Sequence, residues 1–307
     1  MSIVKASLTK NATYTSIYGL SGNKTIYEIL KWKLSKNPQR EVKQKENYKL
    51  KVIKSDKVLD IKDDFIYWLG HATFLLQIDG KKILTDPCLF APPMMKRLTP
   101  LPIDTDKIKP DYILVSHGHY DHLDKKSIRY FDGITVLVPL NMTKLVKSMN
   151  STINTIEANW YEKYDIKESF SIEFLPAFHW HKRTISDANK ILWGSFLIKT
   201  KTKTIYFGGD SGYNKHFKDI GKYTKNIDIS ILTIGAYKPR DFMKLQHINP
   251  HEAIKANDDL NSKLLIPMHY GTFDLSDEPL GEPEQLLRSY TKTTNIKFLD
   301  IGEIYLI

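Results

Sequence analysis

The chain has 307 residues, of which 41% are hydrophobic and 26% charged, with a formal net charge of +10. These proportions suit a globular protein with a sizeable core. No apolar run reaches the roughly 18 residues of a membrane-spanning helix, and the N-terminus lacks the features of a signal peptide. A location in the cytoplasm, or peripheral at the inner face of a membrane, is expected. The single cysteine, Cys88, excludes an internal disulfide and is expected to be a buried packing residue.

Charge is unevenly placed. Residues 1–57 hold 13 Lys/Arg against 4 Asp/Glu, a net +9, which leaves residues 58–307 near neutral. The chain therefore divides into a basic N-terminal extension, 1–57, and a main domain, 58–307. Such an extension either serves an anionic partner (membrane surface, nucleic acid or acidic protein) or is a solvated arm. Residues 1–22 read as a loose arm. Thr25-Ile26-Tyr27-Glu28 fits a capping box. The helix it opens places Ile26, Ile29, Leu30 and Leu34 on one face, with Lys31, Trp32 and Lys33 around it. A short basic amphipathic helix of this kind lies on a membrane interface or packs on the main domain. Residues 39–57 read as a charged linker or crossing segment.

From Phe65 the pattern becomes strand, turn, strand. Asp79-Gly80 predicts a hairpin between Thr73–Ile78 and Lys82–Thr85. Residues 88–106 hold four prolines and read as a long loop. Its Leu89, Phe90, Met94, Met95 and Leu98 beside Lys96 and Arg97 make either a lip with a basic rim or a packed cover. Further short strands follow, with helices over Asn249–Leu260 and Glu282–Tyr290; Asn249 is placed to cap and Pro250 to open the first of these. Hairpins followed by mixed strands and helices argue for an α/β fold of two packed sheets with helices outside.

The chemistry gathers at strand ends. His117-x-His119-x-Asp121-His122 follows the apolar Tyr112–Val115, and puts three of the ten histidines within six residues. Imidazole and carboxylate at that density point to zinc or a similar ion. His179, Asp210 after Gly208-Gly209, and His269 end three other strands. Together they complete two coordination shells, in which Asp210 is placed to bridge two ions that activate water. Asp86 in ILTDP is a candidate to orient a ligand histidine, or a turn residue before Pro87. His71 in WLGHAT lines the site or is structural.

The series HxHxDH, His, Gly-Asp, His is similar to the metallo-β-lactamase superfamily. That resemblance implies a four-layer αββα sandwich with the site at one edge of the sheets. It implies that His117, His119 and His179 hold one metal and Asp121, His122 and His269 a second, with Asp210 between. A closer resemblance, from about Tyr27 to Phe273, is to the N-acylphosphatidylethanolamine-hydrolysing phospholipase D family. It rests on WLGHATFLL, SHGHYDHLD, LPAFHW, LWGSF, FGGDSGY, IGAYKPRDFMKLQHINPHEA and MHYGTF. The resemblance implies a two-zinc hydrolase cutting N-acylphosphatidylethanolamine to phosphatidic acid and N-acylethanolamine, and a homodimer. Iron or manganese also suits such donors.

Asp121, Asp210 and His247 are then the expected catalytic groups, with Gln246, His247 and Tyr120 the expected substrate contacts. His247 suits phosphate contact or proton delivery to the leaving alkoxide, and Tyr120 contacts a phosphate oxygen or packs. Lys238 and Arg240 are candidates to offset phosphate charge. His181 is expected exposed or beside the ligands, and His216 and His251 at the surface. Other hydrolases of the superfamily, a lactonase or a nuclease, share the WLGH and HxHxDH motifs. A nuclease would carry its charge at the active site rather than on the arm, so no nucleic-acid partner is expected. A non-catalytic metal-binding protein is disfavoured by the full set of seven ligands.

Overall fold

The computed structural model describes residues 3–19, 24–291 and 294–307. Strand β1 (Phe65–Gly70) is buried along its whole length. Alternate side chains of a strand face opposite ways, so such a strand lies between two layers. Ile66 and Trp68 join one core cluster, and Phe65, Tyr67 and Leu69 the other. The unbroken apolar run FIYWLG follows from that position. β2 (Thr73–Ile78) and β3 (Lys81–Thr85) form the expected hairpin, with Ile78 opposite Lys81 across Asp79-Gly80. β4 (Tyr112–Leu114), β5 (Thr135–Pro139) and β6 (Asn154–Ala158) extend this sheet in parallel from β3.

A second sheet is built from β7 (Glu162–Lys163), β8 (Ser171–Leu175), β9 (Ser195–Lys199), β10 (Thr204–Phe207), β11 (Ile227–Thr233) and β12 (Ser262–Met268). β13 (Ile304–Leu306) returns to pair antiparallel with β1. Among the described residues the orders are β13-β1-β2-β3-β4-β5-β6 and β12-β11-β10-β9-β8-β7.

Eight α-helices are described: α1 (Ile26–Leu34), α2 (Arg40–Lys45), α3 (Lys125–Arg129), α4 (Thr143–Met149), α5 (His216–Thr224), α6 (Arg240–Met243), α7 (Pro250–Asp259) and α8 (Glu282–Arg288). α3 and α4 cover the first sheet, packing Ile128, Val146 and Met149 on Val136 and Val138. α5, α7 and α8 cover the second through Phe217, Ile220, Ala253, Ala256 and Leu287. The result is the αββα layering. α7 starts as the sequence predicts, with Asn249 and Glu252 in a reciprocal capping box and Pro250 in its first turn.

β3 and β4 are parallel, and β8, β10 and β12 share one direction. The carboxyl ends of parallel strands are where such sheets gather ligands. The residues just beyond these five strands carry the histidines and aspartates.

The N-terminal extension differs from a loose arm. Tyr14 is buried, its N–H donating to the Asn189 carbonyl at 2.7 Å, and Ala6 N–H donates to Asn159 Oδ1 at 2.9 Å. Residues 1, 2 and 20–23 and the Ile26 side chain lie outside the described part. α1 has its predicted capping box at Thr25 and Glu28. The expected apolar face is split: Leu30 and Leu34 are 52% and 86% exposed, whereas Ile29 is half-buried and lines the mouth. The helix docks through Trp32, which stacks on Phe242 at 5.1 Å and donates Nε1–H to Asp277 at 3.2 Å. The stretch 39–57 contains α2 and is pinned by polar contacts. Lys43 pairs with Asp274, and the Glu46 carboxylate accepts from Leu280 N–H at 2.6 Å and Gly281 N–H at 2.8 Å. Polar anchoring leaves no apolar period, which is why this helix escaped the sequence reading.

Candidate metal centre

The loop leaving β4 brings His117, His119, Asp121 and His122 together, and the loops after β8, β10 and β12 add His179, Asp210 and His269. Two sets of donors converge. His117, His119, His179 and Asp210 form one, and His71, Asp121, His122 and His269 the other, each within 4.8 Å. In the first set, His119 Nδ1 lies 2.9 Å from His117 Nε2 and 3.1 Å from His179 Nε2. Three imidazole nitrogens facing one point cannot satisfy one another with single protons, but a cation accepts all three lone pairs. In the second, His122 Nε2 is 3.1 Å and His269 Nε2 3.2 Å from the Asp210 carboxylate, so Asp210 stands between the sets.

The electrostatics separate the sets. In the second, burial is outweighed by the Asp210 and Asp121 carboxylates, which hold His122 well above the usual histidine range and His269 up at about 9, whereas the first-set histidines are lowered. Burial, with neighbouring histidines adding to it, holds His117 and His179 well below the usual histidine range. Burial likewise pushes His119 down to about 3. These rings are neutral at physiological pH, the form that ligates metal. Burial alone would raise Asp121 and Asp210, but adjacent histidines outweigh it and hold both well below the usual carboxylate range. A buried pair of carboxylates ringed by imidazoles favours divalent cations.

Three of the ligand rings, those of His117, His122 and His179, are oriented from behind. Asp86 accepts from Ser116 N–H at 2.7 Å and lies 2.7 Å from His122 Nδ1. Ser116 Oγ contacts His117 Nδ1 at 2.9 Å. His179 Nδ1 faces the Gln246 carbonyl at 3.1 Å. All three rings thus turn Nε2 toward the centre. His71 Nε2 is 3.0 Å from Asp121. Gly209 has φ +58 and lets the chain turn beneath Asp210, where a Cβ would come within 2.9 Å of the Ser116 side chain.

His247 lies at the mouth, its Nδ1 3.8 Å from Asp210, and burial pushes it down to about 4. Gln246 also lines the mouth, a cavity of about 200 Å³. The other expectations fare differently. Tyr120 donates its hydroxyl to the Arg183 carbonyl at 3.0 Å, and its ring lies 4.0 Å under that guanidinium. Arg240 is committed to Glu252 at 2.5 Å and to the His247 carbonyl at 2.7 Å, and Lys238 to Glu282 at 2.6 Å, so neither is free to offset phosphate charge. Of the two positions expected for His181, the structure shows the one beside the ligands, buried against Gly118. His216 is buried, not at the surface: its Nε2 is 3.0 Å from Ser211 Oγ, which steadies the Asp210 loop. His251 is exposed and Cys88 buried, as expected.

In the 88–106 loop, Leu89 is buried and Met94 fully exposed. Arg97 does not form a rim but turns inward, donating to the carbonyls of Cys88, Leu69 and Thr99.

Sequence reading missed Arg183, whose guanidinium donates to the carbonyls of Gly118 at 2.9 Å and Leu123 at 2.8 Å and so clamps both ends of the metal loop. It also missed Lys24, Trp32 and Trp180, which wall the mouth. Only spatial proximity reveals them, since each is far from the HxHxDH motif or carries no motif of its own.

Comparison with known proteins agrees with this geometry. The family described as "Beta-lactamase superfamily domain" matches residues 81–270. N-acyl-phosphatidylethanolamine-hydrolyzing phospholipase D 1 of Caenorhabditis elegans is 34% identical over 269 residues, covering 78% of this chain and 75% of its own. The mitochondrial protein of the same name from Saccharomyces cerevisiae is 37% identical over 236 residues, covering 72% of this chain and 50% of its own. The isothiocyanate hydrolase from Delia radicum gut bacteria shares the fold, with TM-score 0.65 at 17% identity over 79% of this chain and 98% of its own. With the fold, the buried His/Asp cluster and these relatives in agreement, the chain belongs to the metallo-β-lactamase superfamily and is a metal-dependent hydrolase.

Proposed function

We propose that the enzyme holds two zinc ions and hydrolyses a phosphodiester, N-acylphosphatidylethanolamine, to phosphatidic acid and an N-acylethanolamine. The observation that carries the reading is the buried two-set cluster opening into a mouth walled by Trp32, Trp180, Phe242, Met243 and Leu275. An apolar wall over a hydrolytic centre suits an amphiphile, and relatives at 34–37% identity bear that activity in their names.

His117, His119 and His179 would hold one ion, Asp121, His122 and His269 the other, with Asp210 shared; neutral imidazoles and carboxylates suit zinc. Such a pair supplies an activated water at neutral pH and offsets charge on the phosphate oxygens. The chain's own groups do the rest. Asp86, Ser116 and the Gln246 carbonyl keep three rings pointed inward. His247, neutral and at the mouth, offers a ring N–H to the phosphate or to the departing alkoxide oxygen.

The exposed face of α1 gives an anionic membrane a place to sit. Tyr27, Leu30 and Leu34 are exposed there, beside Lys33 and Lys36. No described helix is long and apolar enough to cross a membrane. Because α1 also walls the mouth, the clean perturbation is Leu30→Ser with Leu34→Ser rather than a deletion. Weaker binding to phosphatidylglycerol vesicles with intact hydrolysis of a soluble substrate is expected.

The deciding experiment measures metal content and hydrolysis of N-acylphosphatidylethanolamine, a nitrophenyl phosphodiester and a lactone. Release of phosphatidic acid and N-acylethanolamine is expected. Lactone cleavage without phosphodiester cleavage would overturn the reading.

A further inference from the structure

The mouth contains a charge that the hydrolytic centre does not explain. Among its described lining residues, Lys24 is the single lysine or arginine. It stands immediately before the Thr25 cap of α1, so the docking of that helix fixes where it lies. Trp32 stacking on Phe242, with its indole N–H on Asp277, seats the helix. The Lys24 ammonium then rests 4.7 Å over the same Phe242 ring.

This cation is covered yet loosely paired. Its side chain is only 14% exposed, and its carboxylate neighbour, Glu28 Oε1, is 3.9 Å away. The other oxygen of Glu28 is taken by Thr25, which donates N–H and Oγ–H at 2.8 Å each. An ammonium removed from water ordinarily acquires a close anion. The same cavity is lined by His119, Asp121, Asp210 and His247. Filled with two divalent ions, that wall attracts an anionic group, and the group bound there comes within the same 200 Å³ space as Lys24.

We infer that Lys24 is a substrate-binding residue, whose ammonium pairs with the negative phosphate of the substrate on the side away from the metal cluster. The inference rests on the phosphodiester reading for its substrate class. It assigns the N-terminal segment a share in the active site: α1 presents Lys24, Ile29 and Trp32 inward and Leu30 and Leu34 outward. Discrimination between anionic and uncharged amphiphiles then resides outside the metal-binding loops.

The test uses the full-length, metal-loaded enzyme with bis(4-nitrophenyl) phosphate as substrate and dihexanoyl phosphatidic acid as competitive inhibitor. Lys24→Met is expected to raise KM and the inhibition constant about tenfold, the worth of one charge-assisted contact. Lys24→Arg should restore most of the loss. Lys31→Met, an exposed lysine on the same helix, should change neither constant by more than about twofold. Unchanged constants in Lys24→Met overturn the inference. So does an equal loss of affinity for uncharged dihexanoylglycerol, which marks a merely structural role. If the wild type cleaves no phosphodiester, the functional reading fails separately. Calorimetric binding of dihexanoyl phosphatidic acid then decides Lys24, and equal affinity in wild type and Lys24→Met rejects it.

Discussion

Arg183 offers the sharpest test of how the centre is held. Its guanidinium crosses from the β8–β9 loop to the metal loop and donates to the Gly118 carbonyl at 2.9 Å and the Leu123 carbonyl at 2.8 Å, with His119 at 3.4 Å. It also covers the Tyr120 ring at 4.0 Å. Arg183→Ala removes two short charged hydrogen bonds, each worth about 1.5 kcal/mol or more, and a cation–π contact worth about 0.5–1 kcal/mol. The sum is about 3–5 kcal/mol. With an unfolding entropy of about 2.1 cal/mol/K per residue, a chain of 307 residues loses about 0.6 kcal/mol per degree. The expected drop in Tm is therefore about 5–8 °C. Because the clamp spans the backbone of His119, Asp121 and His122, metal affinity should fall about tenfold as well. Calorimetric melts at fixed metal, with chelator competition for affinity, measure both. Arg183→Lys keeps the charge but not the planar fork, and should recover less than half of the loss. A variant that melts within about 1 °C of wild type and holds metal as tightly would refute the clamp.

Three further outcomes follow from the same geometry. Asp210→Asn weakens the carboxylate that stands between His122 and His269, and should cut metal content and lower kcat/KM by about a hundredfold or more; near-normal turnover of a metal-loaded variant would exclude a bridging role. Asp86→Ala leaves His122 Nδ1 and Ser116 without their buried acceptor, and should cost about 3–5 kcal/mol and at least tenfold in metal affinity; an unchanged chelator-competition curve would count against it. Gly118→Ala drives a methyl into the His181 ring, with an expected cost of about 1–3 kcal/mol. Adding His181→Ala should return part of that stability, and strictly additive melting data would show that the two side chains do not meet.

The site was legible in the sequence wherever chemistry and strand ends coincide in a short window. His117 to His122 follow an apolar strand directly, and Gly208-Gly209-Asp210 announces a turn that delivers a carboxylate. The Asp79-Gly80 hairpin and the Asn249-Pro250 helix start were equally local, because turn and capping chemistry depend on neighbouring residues. What escaped depends on distant partners. His216 has an ordinary helical context, and only the fold places its ring against Ser211. Arg240 looks like a phosphate ligand until Glu252, one helix away, claims it. The outward turn of Leu30 and Leu34 was hidden because the period of α1 marks an apolar face without saying what covers it. Trp32, read as part of the basic surround, proved to be the docking residue.

The least visible feature is backbone strain at the centre. His71, Asp86 and His269 have φ of 56°, 34° and 67°, a left-handed region that costs a non-glycine residue about 1–2 kcal/mol. Nothing in their residue types signals it. Each is latched by a bond made elsewhere in the fold. His71 N–H donates to Thr272 Oγ1 at 2.8 Å, the Asp86 carbonyl accepts from Thr73 Oγ1 at 2.8 Å, and His269 N–H donates to the His71 carbonyl at 3.2 Å. Two of the strained positions, His71 and His269, are linked directly, and Asp86 joins the same donor set through His122. His71 and His269 share a hydrogen bond and have tilted rings with centroids 3.8 Å apart, and His71 reaches Asp121 while Asp86 reaches His122. Relaxing any one backbone would swing a side chain away from the second donor set. That set, rather than the one held by HxH alone, is where the chain invests strain and buried charge. Stepwise chelation should accordingly strip the Asp121–His122–His269 position and the His117–His119–His179 position at different rates, followed by metal-edge spectroscopy of a cobalt-loaded enzyme. Loss of both ions in one indivisible step would show that Asp210 couples the sets too tightly for the strain to distinguish them.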